Sequence, residues 1–224
     1  MGLFLTKETP NARLGIWEIT EPAEELYRKV WLSATEKAYF ASLKSPLRKK
    51  HWLSYRLILP HLLSKDLVSS MHYDAFGKPH LDNGAGHISV AHSGKYAALI
   101  FSRETEVGID IEQVKPKIIH LAGKFLSSKE EAANTADPMQ AERLCLIWCA
   151  KEALYKLYGR KNLSFRAHMN IEPFSYQQSG TVSGQVLREG QTRQHRLHYE
   201  TINNYILVYV ADNTATNPEK QNVQ

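Results

Sequence analysis

The 224-residue sequence predicts an α+β fold, and three observations lead to that prediction. Long helical patterns of apolar residues alternate with short runs that are typical of strands. The order of helix, turn and strands in the first half of the chain recurs in the second half. No apolar run approaches the roughly 20 residues that a membrane-spanning helix needs. We therefore predict one α+β half over residues 1–105, a second over 106–211, and a flexible tail over 212–224.

Periodicity and turn composition predict the elements in chain order. A first strand is expected within residues 11–20, where apolar and other residues alternate. Residues 21–64 are mostly helical, and Thr35 is expected to cap a helix there. The later predictions are a turn at 74–79, a hairpin at 87–101, a strand at 107–112, helices at 121–135 and 139–158, and strands at 164–174, 181–188 and 195–211.

The two long helices share a local spacing. Trp52 precedes Arg56 by four residues, and Trp148 precedes Glu152 by the same interval. Residues four apart lie on one face of a helix. The spacing is consistent with two copies of one α+β unit.

Composition and charge narrow the class of protein. With 43% hydrophobic and 23% charged residues, the chain is neither collagen-like, nor of low complexity, nor wholly disordered. The formal net charge of +5 favours an anionic partner. It does not choose among nucleic acid, membrane, nucleotide cofactor and acidic protein.

Cys145 and Cys149 bear on the compartment. Their spacing of four within a helix is unfavourable for a disulfide, and no histidine cluster suggests a metal site. We interpret them as buried thiols of a protein in the reducing cytoplasm. The N-terminal residues lack a signal-peptide pattern, and we expect no association with a membrane.

The strand at 107–112 carries an acidic pair. Side chains alternate along a strand, so its apolar residues point to a core and Asp110 and Glu112 share the other face. Gly108 lies on that face and is expected to leave open backbone beside the acids. Two adjacent carboxylates repel unless a positive charge lies between them, which a Mg²⁺ ion would supply. The alternative is a solvated strand face with two exposed acids.

The helix at 139–158 offers a matching set. Trp148, Glu152 and Lys156 follow one another at intervals of four and share one face. Glu152 would complete a metal site as the third carboxylate, and Lys156 would contact a phosphate. Such a set suits phosphoryl or pyrophosphate chemistry. An ordinary helical Glu–Lys pair is the alternative.

Basic and turn residues of the first half supply further candidates for phosphate contacts. They are Lys49, Lys50, Arg56, Lys78, Pro79 and His92. Each also has a structural explanation, such as a solvated turn lysine or a hydrogen-bonded strand histidine. No recognised nucleic-acid motif accompanies them, so we expect no nucleic-acid partner.

Five motifs follow one another between about residue 48 and residue 165. They are FGKP at 76–79, ISVAHSG at 88–94, VGIDIE at 107–112, FLSSKEE at 125–131, and W-x-x-K-E-A-x-x-K at 148–156. This ordered set resembles the 4'-phosphopantetheinyl transferase superfamily, specifically its Sfp-like class.

The resemblance implies an activity and a cofactor. Such enzymes transfer phosphopantetheine from coenzyme A to a serine of an apo acyl or peptidyl carrier protein and release 3',5'-ADP. Asp110, Glu112 and Glu152 match the ligands of Mg²⁺, with Mn²⁺ possible. Glu152 also matches the general base, which acts directly or through a metal-bound water, and Lys156 matches the lysine beside the pyrophosphate. Lys151 belongs to the motif with a less clear role.

The resemblance also implies a binding site for coenzyme A. Lys78 and Pro79 match the turn along the adenine, and Arg56 and His92 match residues that contact its phosphates. The family fold is a pseudo-dimer of two similar α+β subdomains with the cofactor site between them. Because one chain then builds a whole site, we expect a monomer.

Ala91 departs from the family pattern, which often has a serine directly before the histidine. The contact that this serine hydroxyl makes to coenzyme A is therefore expected to be either lost or supplied by Ser89 or Ser93. The carrier is expected to dock near residues 113–131.

Two other functions remain open from the residues alone. The alternative enzyme is a Mg²⁺-dependent phosphohydrolase that acts on a nucleotide or coenzyme A. The other is a basic nucleic-acid-binding module, which the paired acids disfavour because they repel phosphate.

Overall fold

A computed structural model describes residues 2–64, 69–133, 138–159 and 163–212. It contains two antiparallel sheets, each packed against one long helix, so the predicted α+β class is confirmed. The predicted flexible tail, apart from Asp212, lies outside the described residues.

The first sheet has the strand order β1-β2-β6-β5-β4-β3. Its strands are β1 Leu3–Glu8, β2 Arg13–Glu18, β3 Met71–Tyr73, β4 Pro79–Leu81, β5 His87–Ser93 and β6 Tyr96–Ser102. The helices of this region are α1 Ala23–Lys29, α2 Ala34–Ser42 and α3 Pro46–Leu62.

The second sheet has the order β7-β11-β10-β9-β8. Its strands are β7 Glu106–Gln113, β8 Met169–Ile171, β9 Ser179–Arg188, β10 Gln191–Ile202 and β11 Tyr205–Asp212. The helices are a 3₁₀ helix at Pro116–Lys124, α4 Ser128–Ala133, α5 Gln140–Tyr158 and α6 Phe165–His168.

Three apolar clusters hold these layers together. One lies between α3 and the first sheet, and a second lies between α5 and the second sheet. The third joins the two sheets, because Leu14, Ile16 and Tyr96 of the first sheet pack with Ile109 and Leu207 of the second. This third cluster places β7 beside β5, which brings the acidic strand next to the motif of His92.

Local capping explains where the predictions of elements were wrong. Ser33, not Thr35, caps α2, since its hydroxyl accepts a hydrogen bond from the Glu36 amide. The described part of the predicted helix at 121–135 is the end of a 3₁₀ helix followed by α4, which begins after a new cap at Ser127. Residues 134 and 135 lie outside the described residues. Residues 164–174 begin with α6, capped by Ser164, rather than with a strand. The two short strands β3 and β4 were not predicted, because three residues cannot show a clear alternation.

Candidate active site

The acidic strand β7 has the two faces that the alternation predicts. Ile109 and Ile111 are completely buried between the sheets. Asp110 is only 5% exposed, and Glu112 is partly buried. Both acids lie on the side of β7 that α5 covers.

Gly108 is where α5 touches β7. A Cβ atom at this position would lie 1.9 Å from the Ala153 carbonyl oxygen and 3.0 Å from the Leu157 amide nitrogen. The backbone beside the acids is therefore covered by the helix, and the expectation of open backbone was wrong. This close approach brings the side chains of α5 directly to the acidic strand.

Lys156 of α5 forms an ion pair with Asp110. Its Nζ lies 2.7 Å from Asp110 Oδ1 and 3.0 Å from the carbonyl oxygen of Ile109. The other oxygen, Asp110 Oδ2, is buried and has no hydrogen-bond partner among the described residues. The carboxylate is thus half satisfied by one ammonium group.

Glu152 lies one helical turn before Lys156, and its pKa is raised to about 7. Burial is the main cause, and the negative charges of Asp110 and Glu112 add to it, while Lys156 acts in the opposite direction. Burial and Asp110 likewise raise the pKa of Glu112, against a hydrogen bond from Ser93 that lowers it. The three carboxylates therefore share one electrostatic environment.

The oxygen chemistry of this site fits a hard divalent cation. In the described part of the chain, no group of three or more His, Cys, Asp or Glu side chains is close enough to hold a metal ion. The acids Asp110, Glu112 and Glu152 nevertheless supply only carboxylate oxygens, which Mg²⁺ prefers. The partnerless Asp110 Oδ2 is a buried acceptor that such an ion would satisfy.

A cavity of about 100 Å³ adjoins Lys156. Its lining comes from the 76–79 turn, β5 and the end of α5: Phe76, Gly77, Lys78, Pro79, Ser89, Val90, Tyr155, Lys156 and Gly159. The Lys78 ammonium is anchored 2.5 Å from Glu106 Oε2 and 2.9 Å from the Leu157 carbonyl. Three predicted contacts of coenzyme A, namely Lys78, Pro79 and Lys156, thus line one cavity between the first sheet and the end of α5.

His92 lies at the end of β5 in a basic cluster. Its ring stacks on that of His51 with centroids 4.2 Å apart, and its Nε2 contacts the guanidinium of Arg48. Burial, followed by the charges of His51, Arg48 and Lys156, lowers the pKa of His92 to about 3. His92 is therefore neutral near pH 7, and the positive charge at this point comes from Arg48.

Arg56 is not at this cluster. Its side chain is buried, its Nε lies 2.7 Å from Glu36 Oε1, and its Cζ lies 3.3 Å from the centre of the Trp52 ring. It also donates to the carbonyls of Trp52 and Met71. Arg56 was predicted to contact a phosphate. In the structure its guanidinium is instead bonded to residues of the first half.

Arg48 and His51 belong to a basic patch at residues 48–51 in the sequence, but the sequence interpretation did not include them among the site residues. They lie three apart on α3, and Tyr55 follows four residues later, with its ring centroid 6.3 Å from that of His92. This spacing puts all three on one helix face, which is a signal present in the sequence. Lys49 lies elsewhere, 5.1 Å above the Phe40 ring.

Lys151 is buried and bonded to four groups of the surrounding segments. Its completely buried ammonium lies 2.5 Å from Glu130 Oε2 and donates to the carbonyls of Phe125, Phe165 and Met169. It ties the segments around α5 together, whereas the charges that act on the neighbouring Glu152 are those of Asp110, Glu112 and Lys156.

No helix in the described part of the chain is long and apolar enough to span a membrane.

Comparisons with known proteins show which family the sequence of this site resembles. Residues 106–210 match the family model of the 4'-phosphopantetheinyl transferase superfamily.

Individual relatives carry the same name. The chain is 35% identical over 127 residues to the 4'-phosphopantetheinyl transferase AcpT of Salmonella typhimurium. The aligned residues cover 54% of this chain and 65% of that protein. It is 35% identical over 117 residues to AcpT of Escherichia coli K12, covering 50% of this chain and 59% of that protein. It is 27% identical over 174 residues to the 4'-phosphopantetheinyl transferase Sfp of Bacillus subtilis, covering 68% of this chain and 75% of that protein.

The chain thus spans less than two thirds of the length of the AcpT relatives. The resemblance predicted from the motifs is confirmed, because residues 106–210 match the model of the 4'-phosphopantetheinyl transferase superfamily and these similar proteins carry that name.

Proposed function

We propose that this protein transfers the 4'-phosphopantetheine group of coenzyme A to a serine of an apo carrier protein. The observation that carries the proposal is the contact of Lys156 with Asp110, beside Glu152 and next to the cavity lined by Lys78 and Pro79. One end of this arrangement suits an acid–base step, and the other suits binding of phosphates and a base. The family and the names of the relatives support the same activity.

Glu152 is the proposed general base. A carboxylate whose pKa is about 7 is partly ionised at neutral pH and is a strong enough base to accept a proton from a serine hydroxyl. The carrier serine would lose its proton to Glu152, and its oxygen would form a bond to the phosphorus on the pantetheine side. The bond from that phosphorus to the bridging oxygen would break, and 3',5'-ADP would leave.

Lys156 is the proposed stabiliser of the leaving phosphate. Its ammonium is held by Asp110 and the Ile109 carbonyl, so its charge is already in position when negative charge develops. Asp110, Glu112 and Glu152 would hold Mg²⁺, or Mn²⁺ in its place. The ion, when bound, supplies positive charge to the pyrophosphate oxygens.

Coenzyme A is proposed to occupy the region from the cavity to His92. Lys78 and Pro79 would contact the adenine, while Arg48 and neutral His92 would contact phosphate oxygens. Arg48 takes the role that the sequence interpretation gave to Arg56, because only Arg48 of these two arginines reaches His92.

The 3₁₀ helix at Pro116–Lys124 is the proposed docking surface for the carrier. Ile119 and Leu121 are 38% and 36% exposed there, next to exposed Lys117 and Lys124. Exposed apolar residues bordered by lysines suit a partner that combines apolar contacts with acidic side chains.

The test is transfer of phosphopantetheine from coenzyme A to a panel of apo carriers with Mg²⁺, read by intact mass. We expect Glu152→Gln to lower kcat by about 10²–10⁴-fold, the usual contribution of a general base. Glu142→Gln, on the first turn of the same helix, is the matched control and should transfer at the wild-type rate. Cleavage of coenzyme A without a carrier would identify a phosphohydrolase instead, and an unaffected Glu152→Gln variant would exclude the proposed base.

A further inference from the structure

The outer edge of β7 is satisfied by side chains instead of by a neighbouring strand. β7 lies at the edge of its sheet, and among the described strands it pairs only with β11. On its other edge, the Ile109 amide donates to Ser89 Oγ at 3.3 Å, and the Gln113 amide donates to Ser93 Oγ at 3.2 Å. A buried edge amide without a partner costs free energy, so these two hydroxyls replace part of a ladder.

The spacing of the two serines matches the spacing of their partners. Ser89 and Ser93 lie four residues apart on β5, and Ile109 and Gln113 lie four residues apart on β7. A slip of one residue would turn Asp110 and Glu112 to the opposite face of the strand. The two serines therefore fix the register that keeps both acids toward α5.

Ser93 makes a second contact that Ser89 does not. Its hydroxyl donates to Glu112 Oε2 at 2.7 Å while accepting from the Gln113 amide. One side chain of the first sheet thus orients a carboxylate of the second sheet. These contacts also use the hydroxyls that were expected to replace the missing serine at position 91.

We propose that Ser89 and Ser93 are positioning residues, which hold the acidic strand in register, and that Ser93 orients Glu112 for binding of a divalent cation. This inference rests on the proposed function for its catalytic consequence. It does not rest on that function for the strand contact or for cation binding. Hydrogen-bond partners of metal ligands commonly set the orientation and affinity of the site.

The test compares Ser93→Ala, Ser93→Thr and the control Ser102→Ala with the wild-type protein. Ser102 is a buried serine at the end of β6 whose hydroxyl donates to the Asn11 carbonyl and accepts from the Thr105 amide. Its substitution therefore removes one hydroxyl whose hydrogen bonds go to Asn11 and Thr105 rather than to β7. Three measurements are made: amide exchange by NMR, affinity for Mn²⁺ alone, and transfer kinetics.

We expect Ser93→Ala to accelerate exchange of the Gln113 amide while that of Ile109, held by Ser89, stays as in the wild type. Its affinity for Mn²⁺ should fall by about 10-fold or more, as removal of such a partner typically does. kcat should fall with the KM for the carrier unchanged. Ser93→Thr, which keeps the hydroxyl, should recover most of the affinity and of kcat.

The proposal is overturned if Ser93→Ala binds Mn²⁺ like the wild type, if the wild type binds none, or if Ser102→Ala shows the same loss. A wild-type protein that transfers no phosphopantetheine, but whose Ser93→Ala variant loses Mn²⁺ affinity and Gln113 protection, separates the two claims. That result refutes the proposed function and supports the positioning role.

Discussion

The two halves of the molecule anchor their long helices with the same device. In the first half, the Ser33 amide donates to Glu36 and the Glu36 amide donates to Ser33 Oγ, which is a capping box. In the second half, Ser127 and Glu130 exchange the same two hydrogen bonds at the start of α4. Both glutamates are buried, so each helix start carries a charge into the interior.

Each glutamate then joins a cation of the long helix to the amide of a short strand. Glu36 Oε1 accepts from Arg56 at 2.7 Å and from the Met71 amide at 3.2 Å. Glu130 accepts from Lys151 at 2.5 Å and from the Ile171 amide at 2.7 Å. Arg56 and Lys151 are therefore structural counterparts.

The difference between the halves lies in the next residue. Position 57, which follows Arg56, is a leucine of the apolar core, whereas position 152, which follows Lys151, is the glutamate whose pKa burial and the charge of Asp110 raise. The repeated tryptophan spacing aligned Arg56 with Glu152 and was out of step by one. If Glu152 has its proposed role, the residue that follows the anchoring cation distinguishes the catalytic half from the other half.

The largest effect should come from breaking either anchor. Arg56→Met and Lys151→Met should each lower the free energy of unfolding by about 3–5 kcal/mol, because a buried glutamate loses its partner. Urea unfolding of both variants measures this. If Arg56→Met kept wild-type stability and lost only affinity for coenzyme A, Arg56 would be a ligand contact, as the sequence suggested.

A smaller effect is expected from the active face of α3. Arg48→Ala should weaken binding of coenzyme A by about 1.5–3 kcal/mol, the value of a charged hydrogen bond. Calorimetry with coenzyme A measures it, and Lys49→Ala is the control because Lys49 lies over Phe40. Equal losses in both variants would indicate a general effect of positive charge rather than a contact by Arg48.

The pH dependence of stability tests the lowered pKa of His92. The unfolded histidine takes up a proton near pH 6.5, whereas the folded one stays neutral down to about pH 3 because burial lowers its pKa. Wild-type stability should therefore fall as the pH drops through that window, by at most about 1.4 kcal/mol per pH unit for one proton. Chemical unfolding at several pH values should show a shallower slope for His92→Gln but not for exposed His120→Gln. Identical slopes in all three proteins would contradict the lowered pKa.

The smallest effect compares the two caps. Ser33→Ala and Ser127→Ala should each cost about 1 kcal/mol, as loss of an N-cap does. Ser127→Ala should cost more, since its hydroxyl also donates to Asn170 at 2.8 Å. Thermal unfolding of the pair provides the comparison, and a larger loss for Ser33→Ala would contradict it.

The elements with strong periodicity could be predicted from the sequence. The strand at 107–112 and the helix at 139–158 were found within one or two residues of their predicted ends. The ion pair of Lys156 with Asp110 was not predicted, because the sequence analysis expected this lysine to contact a phosphate. The roles assigned to Glu152, Lys156 and the acidic residues remain predictions, since they depend on ligands.

Other features depend on tertiary context that a single sequence does not display. α3 is buried over almost its whole length, so periodicity could not tell which of its cations faces the second half. The resemblance to the family pointed to Arg56, and nothing in the pattern of α3 could correct that choice. The hydroxyls of Ser89 and Ser93 were equally ambiguous until β7 was placed beside β5.

Because Gly108 has no side chain, α5 packs directly on the backbone of β7, and the distance between the two elements leaves no room for a larger residue. With the Ala153 carbonyl where a methyl group would have to stand, even alanine at position 108 would act as a wedge between strand and helix. Glu152 and Lys156 would then be carried away together from Asp110, although neither side chain had been altered. Gly108→Ala would therefore impair the site as strongly as replacing both Glu152 and Lys156, although alanine is the smallest possible substitution.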